Sequence, residues 1–166
     1  SRRRVAAVSK DGTTGLVHAA RCREASGGAL LLEQEAQVDA VEENGLAALR
    51  HAASEGDPGC GDLLRGRNAR VDAVRRSDGT TALMCAAAAG HTACAALLLE
   101  HKAQVDAVEK NGLTALMLAA RNADPACADL LLEHNARVDT VRRSDGTTAL
   151  MYAAATGHTA CPALLP

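Results

Sequence analysis

"SDGTTALMCAAAAGHTAC", residues 77–94, is written again almost letter for letter as "SDGTTALMYAAATGHTAC", residues 144–161. Two of the eighteen positions differ, Cys85 against Tyr152 and Ala89 against Thr156, at a separation of 67 residues. The phrase has its own physical reading. A turn dipeptide, Asp78-Gly79, leads to Thr80-Thr81 and then to an alanine-rich run. Threonine directly before such a run is a helix N-cap, and Ala and Leu are the strongest helix formers. Gly90 closes the run and "HTAC" opens another. The phrase therefore predicts turn, helix, break, helix, and its repetition predicts an iterated unit.

Working outward, turn dipeptides stand at Asp11-Gly12, Asn44-Gly45, Asp78-Gly79, Asn111-Gly112 and Asp145-Gly146, spaced by 33, 34, 33 and 34 residues. Two kinds of unit alternate, one opening "DGTT" and the other "NGL". Thr14, Thr81, Thr114 and Thr148 occupy the cap before the first helix of their units. Asp57-Pro58 and Asp124-Pro125 place a cap residue before a proline at the first helical position, a strong start signal for the second helix. An extended "VDAV" segment is expected to lead to the next turn. The units read as a tail of a preceding repeat at 1–10, then repeats at 11–43, 44–77, 78–110 and 111–144, and a partial repeat at 145–166. Repeat two is the weakest, with Ala47 at the cap and Gly59, Gly61 and Gly66 around its second helix.

Turn, helix, helix and extended finger at this period, with "TALM.AA", "GHTAC..LLLEH" and "A.VDA" as recurring words, resembles the ankyrin repeat family. The resemblance runs from Val5 to the C-terminus. It departs from the family's T-P-L-H-x-A signature, because Ala and Met replace the proline and histidine and remove the Thr–His hydrogen bonding found there. The resemblance implies an all-α, ankyrin-type repeat solenoid of stacked helix-turn-helix units with β-turn fingers. It implies a left-handed residue after the second helix, where the family has Gly and this chain has Glu35, Asn68, Lys102 and Asn135. Asn tolerates that geometry, whereas Lys and Glu cost about 1 kcal/mol each there. It also implies protein–protein interaction, by a scaffold or adaptor binding its partner across fingers and concave first-helix face. The alternatives are a structural spacer or array that self-associates through exposed ends, and a regulatory segment of a larger multidomain protein such as a kinase. "VAAVSK" matches the tail of a preceding unit and "CPALLP" stops inside a second helix, so either a longer array or ends covered by something else is expected.

Composition narrows the chemistry. The 166 residues carry 18 Lys and Arg against 20 Asp and Glu, a formal charge of −2, with no Phe or Trp and one Tyr. Neither nucleic acid nor membrane fits a near-neutral chain without an aromatic stacking platform or an apolar run of spanning length. The six cysteines are spread at long intervals, which suits a reducing, cytoplasmic setting. Cys60, Cys94, Cys127 and Cys161 fall at one position of successive second helices. Helices packed about 8–10 Å apart keep them from pairing, so they read as small core residues. His91 and His158 precede Cys94 and Cys161 by three. Structural zinc needs four ligands, and in the family this histidine is a structural residue of the inter-helix loop. No nucleophile–base cluster and no phosphate loop is present. No catalysis, metal or cofactor is expected.

The finger tips carry charge: Glu42 and Glu43, Arg75 and Arg76, Glu109 and Lys110, Arg142 and Arg143. Acidic and basic tips alternate, and two basic tips two repeats apart stand roughly 16–20 Å from each other. Two readings stand. Exposed tips carry charge merely for solvation, or the row is a ruler that recognises an acidic or mixed-charge protein segment. The resemblance places further partner-facing positions at Leu46, Thr80, Leu113 and Thr147 after the turns, and at Arg21, Ser54, Glu55, Arg121 and Asn122 on first helices. Leu46 and Leu113 are either apolar anchors or packing on neighbouring fingers.

Overall fold

The computed structural model describes residues 48–56 and 71–156. Among these residues six helices form and no strand: α1 (Ala48–Glu55), α2 (Ala82–Ala89), α3 (Thr92–Glu100), α4 (Ala115–Arg121), α5 (Pro125–Glu133) and α6 (Ala149–Ala155). Each is short, and an isolated helix of seven to nine residues is unstable in water. Capping side chains start α2, α4, α5 and α6, and packing keeps every helix.

The start signals act as the sequence predicts. The hydroxyls of Thr81, Thr114 and Thr148 accept from the amides of Met84, Met117 and Met151, each at 3.3 Å. Asp124 Oδ1 accepts from the Cys127 amide at 3.1 Å, with Pro125 in the first turn of α5. Left-handed residues end the helices. Gly90 closes α2 at φ 75°. Lys102 (φ 65°) and Asn135 (φ 62°) take the expected left-handed place after α3 and α5. Ala123 (φ 58°) holds the same conformation after α4, in the place where the other units have Gly56 and Gly90.

The first helices α1, α2, α4 and α6 pack in a row, and α3 and α5 back onto α2 and α4 and onto each other. The core between the layers is alanine-rich, with Ala86, Ala87, Ala95, Ala119 and Ala128 fully buried. Such small residues let helix backbones approach closely. Leu83, Met84, Leu116, Met117 and Leu131 fill the remaining space, each contributing about 1.5–3 kcal/mol by burial.

The segment between second helix and finger corrects one expectation. Val71-Asp72 and Val105-Asp106 form a turn, and extended chain begins only after it. The aspartate is the reason. Asp72 Oδ1 accepts from the Gln104 amide and Asp106 Oδ1 from the Arg137 amide, both at 2.8 Å, tying each loop to the next unit. The fingers are joined as well: the Lys110 amide donates to Asp78 O at 2.8 Å and the Arg143 amide to Asn111 O at 3.3 Å. Repeats are thus locked in register at both the base and the tip of the finger.

Candidate functional site

Each finger is closed by a pair of backbone bonds. In the DGTT fingers the Arg75 amide donates to Thr80 O (2.9 Å) and the Gly79 amide to Arg75 O (2.8 Å), and Arg142, Thr147 and Gly146 repeat this at 2.8 Å each. The side chains complete the closure. Asp78 Oδ1 accepts from the Thr80 amide at 3.0 Å, and Arg75 Nη1 donates to Asp78 Oδ2 at 3.0 Å. Asp145 does the same with Thr147 (3.0 Å) and Arg142 (3.1 Å), and Arg142 Nη1 also donates to the Tyr152 hydroxyl at 3.2 Å. Burial pushes the Asp78 carboxyl upward, but the Thr80 hydrogen bonds and the Arg75 guanidinium outweigh it and hold the group below its ordinary value. The Thr147 hydrogen bonds, with Arg142 beside them, likewise depress Asp145.

The NGL finger is built differently, and here the structure overturns the expectation of an acidic tip. Glu109 is 7% exposed. Its Oε1 accepts from the amides of Asn111 (2.8 Å) and Leu113 (3.0 Å), and its Oε2 from Asn111 Nδ2 (3.1 Å). This finger is one residue shorter and has Asn where the others have Asp. The glutamate reaches inward to supply the acceptor that Asp78 and Asp145 provide elsewhere. Charges therefore do not alternate along the described fingers. Arg75 and Arg142 are half-buried and spent on their own finger, leaving Arg76, Lys110 and Arg143 exposed. Lys110 Nζ also donates to Ser77 O of the preceding finger.

The remaining candidates divide. Thr80 and Thr147 are half-buried, with amide and carbonyl both engaged in their fingers. Leu113 is half-buried and packs against the core. Arg121 is exposed in the last turn of α4, where a cation complements the helix dipole. Asn122 is exposed, but its side-chain amide donates to Ala88 O and so ties α4 to α2. Ser54 and Glu55 are exposed at the end of α1. Glu42, Glu43, Leu46 and Arg21 lie outside the described residues, as do Cys60, Cys161 and His158.

Below the fingers, between α2 and α4, a groove of about 400 Å³ is lined by Met84, Cys85, Leu113 and Leu118, with Arg75 and Asp78 among its polar residues. Burial pushes the Cys85 thiol above its ordinary value. Cys94 and Cys127 are buried in the core, and burial with the nearby Asp124 charge pushes Cys127 up to about 12. Among the described residues no three His, Cys, Asp or Glu side chains are grouped to hold a metal ion. His91 stands in the inter-helix loop, its Nε2 3.1 Å from Ser54 O in the preceding unit.

Sequence reasoning missed the valines that precede the fingertip charges. Val74, Val108 and Val141 are all exposed. The signal was present as "VRR", "VEK" and "VRR", an outward residue two places before each cation.

A family model for ankyrin repeats (3 copies) matches residues 62–142 and 105–166. No curated protein sequence matches the chain.

Proposed function

The chain belongs to the ankyrin repeat family, and from that premise we propose a non-catalytic scaffold or adaptor that binds an acidic or mixed-charge segment of a partner protein. Ankyrin repeats generally mediate protein–protein interaction. In this reading five units, the last incomplete, act as one domain in the reducing cytoplasm. The observation that carries it is the division of labour in the fingers. Arg75, Glu109 and Arg142 are spent on closure, while Arg76, Lys110 and Arg143 face solvent from fingers bonded to one another. A surface already ordered loses little entropy on binding, where each mobile side chain immobilised costs about 0.5–1.5 kcal/mol.

The test is selection of displayed random peptides on the immobilised protein. Selected peptides should be net acidic, and R76E with R143E should abolish their capture without changing helix content or melting. Peptides that are neutral or basic, or that survive the double change, would refute the reading.

One observation favours a second, structural reading. Leu83, Met84, Leu116 and Met117 are 1% exposed, yet their counterparts on α6, Leu150 and Met151, are 37% and 57% exposed. Such a face suits stacking on another repeat. If the array self-associates there, its size in solution grows with concentration, and L150E with M151E stops the growth.

A further inference from the structure

Exposure alternates along each finger with the two-residue period of extended chain. Val74 is exposed, Arg75 half-buried and Arg76 exposed; Val108, Glu109 and Lys110 run exposed, buried, exposed; Val141, Arg142 and Arg143 repeat the first pattern. The inward member of each triplet holds its own finger together. The outward members line up from finger to finger as two adjacent rows. One is apolar, with Val74, Val108 and Val141 at 53%, 45% and 55% exposure. The other is cationic, with Arg76, Lys110 and Arg143. Bonds between successive fingers and between successive loops keep both rows in register.

We propose that this outer finger edge docks an acidic amphipathic helix of a partner protein, lying along the repeat axis. The inference rests on the reading of the chain as a protein-binding array and names the partner's chemistry. Pitch selects a helix. Stacked repeats advance by about 8–10 Å, close to the roughly 10.5 Å of seven helical residues. A strand shows one face every two residues, about 6.7 Å, and so can meet at most every second repeat, whereas a helix can meet each one. One apolar residue per heptad meets each valine, and carboxylates on one flank of that seam meet the cations. The opposite flank cannot be acidic. Asp72, Asp106 and Asp139 stand two residues before the valines, and Asp72 and Asp106 take part in the loop-to-loop bonds. Asp139 is paired with Arg137 at 3.2 Å, so a helix acidic on both sides meets repulsion from Asp72 and Asp106, and charge fixes which way the partner faces.

Two synthetic helical 21-residue peptides test this, both with Leu at seven-residue spacing. One carries Glu on a single flank and the other Lys in the same places. Fluorescence anisotropy against the full chain should show binding of the Glu peptide alone. V74S/V108S/V141S and R76Q/K110Q/R143Q should each weaken it at least about tenfold while helix content is unchanged. The second triple should also flatten the salt dependence. Binding of neither peptide, equal binding of both, or stronger binding to vesicles of phosphatidylcholine with phosphatidylserine would overturn the proposal. So would indifference to the valine triple. Because acidic displayed peptides would still be captured in that last case, loss of the helix site and loss of the broader recognition reading are told apart.

Discussion

Ala123 is the residue whose replacement by glycine should improve the protein. It sits at φ 58° after α4, where the preceding two units have Gly56 at 72° and Gly90 at 75°. The left-handed conformation costs a residue with a Cβ about 1–2 kcal/mol. Glycine removes that strain but gives the unfolded chain extra freedom worth about 0.4–1 kcal/mol. The balance for Ala123→Gly is a net stabilisation of about 0.5–1 kcal/mol. The reverse changes calibrate it. A Cβ on Gly90 would meet only Asp124 Oδ2, at 3.7 Å, so Gly90→Ala should cost strain alone and destabilise by a similar amount. A Cβ on Gly56 would lie 2.5 Å from His91 Nδ1 and 2.7 Å from its Cγ. Gly56→Ala must displace that ring and break its hydrogen bond to Ser54 O, adding about 1 kcal/mol or more to the strain. Urea midpoints at constant m-value give the order Ala123→Gly above wild type, then Gly90→Ala, then Gly56→Ala. A destabilised Ala123→Gly, or a Gly56→Ala no worse than Gly90→Ala, would refute the reasoning.

Glu109→Ala should cost about 1–3 kcal/mol, because two finger amides lose their acceptor in a buried place; an unchanged urea midpoint would mean the carboxylate is not needed there. The depressed Asp78 and Asp145 carboxyls set a pH dependence. A group whose folded value lies below its unfolded value stabilises above the unfolded value and loses that contribution as pH falls through the folded one. The advantage of wild type over D78N/D145N in thermal melting should therefore be constant at neutral pH and shrink below about pH 4; a gap that persists undiminished to pH 2 contradicts the assignment. Met84 and Met151 occupy the same letter of the repeated phrase but are 1% and 57% exposed. Met84→Ala should cost about 2–5 kcal/mol and Met151→Ala less than about 0.5 kcal/mol, so equal losses in denaturant titrations would show that the two faces are covered alike.

The architecture was legible because its causes are local and periodic. Thr81, Thr114 and Thr148 cap helices wherever they occur, and Asp124-Pro125 starts one. The left-handed places at Lys102 and Asn135 followed from the family resemblance. The direction of a fingertip side chain could not be read this way. Sequence gives Glu109 a charge, while its orientation depends on a finger one residue shorter whose amides lack the Asp acceptor of the other fingers. Arg75 and Arg142 were hidden for the related reason that an aspartate three residues on claims each of them. Leu113 looked exposed because the turn before it is polar, yet the neighbouring first helices reach it. Ala123 gave no sign in the sequence, since the fold imposes on it a conformation the residue itself disfavours.

The decisive measurement is amide hydrogen exchange, resolved by residue, at Lys110, Asn111, Leu113 and Arg143. Two of these amides bond one finger to the preceding one, and the other two are held by the inward Glu109 carboxylate. All four should exchange slowly, as members of one ordered row that turns Arg76, Lys110 and Arg143 outward. Exchange at the rates of an unstructured chain would mean independent fingers and a free Glu109, with no fixed basic edge for a partner to read.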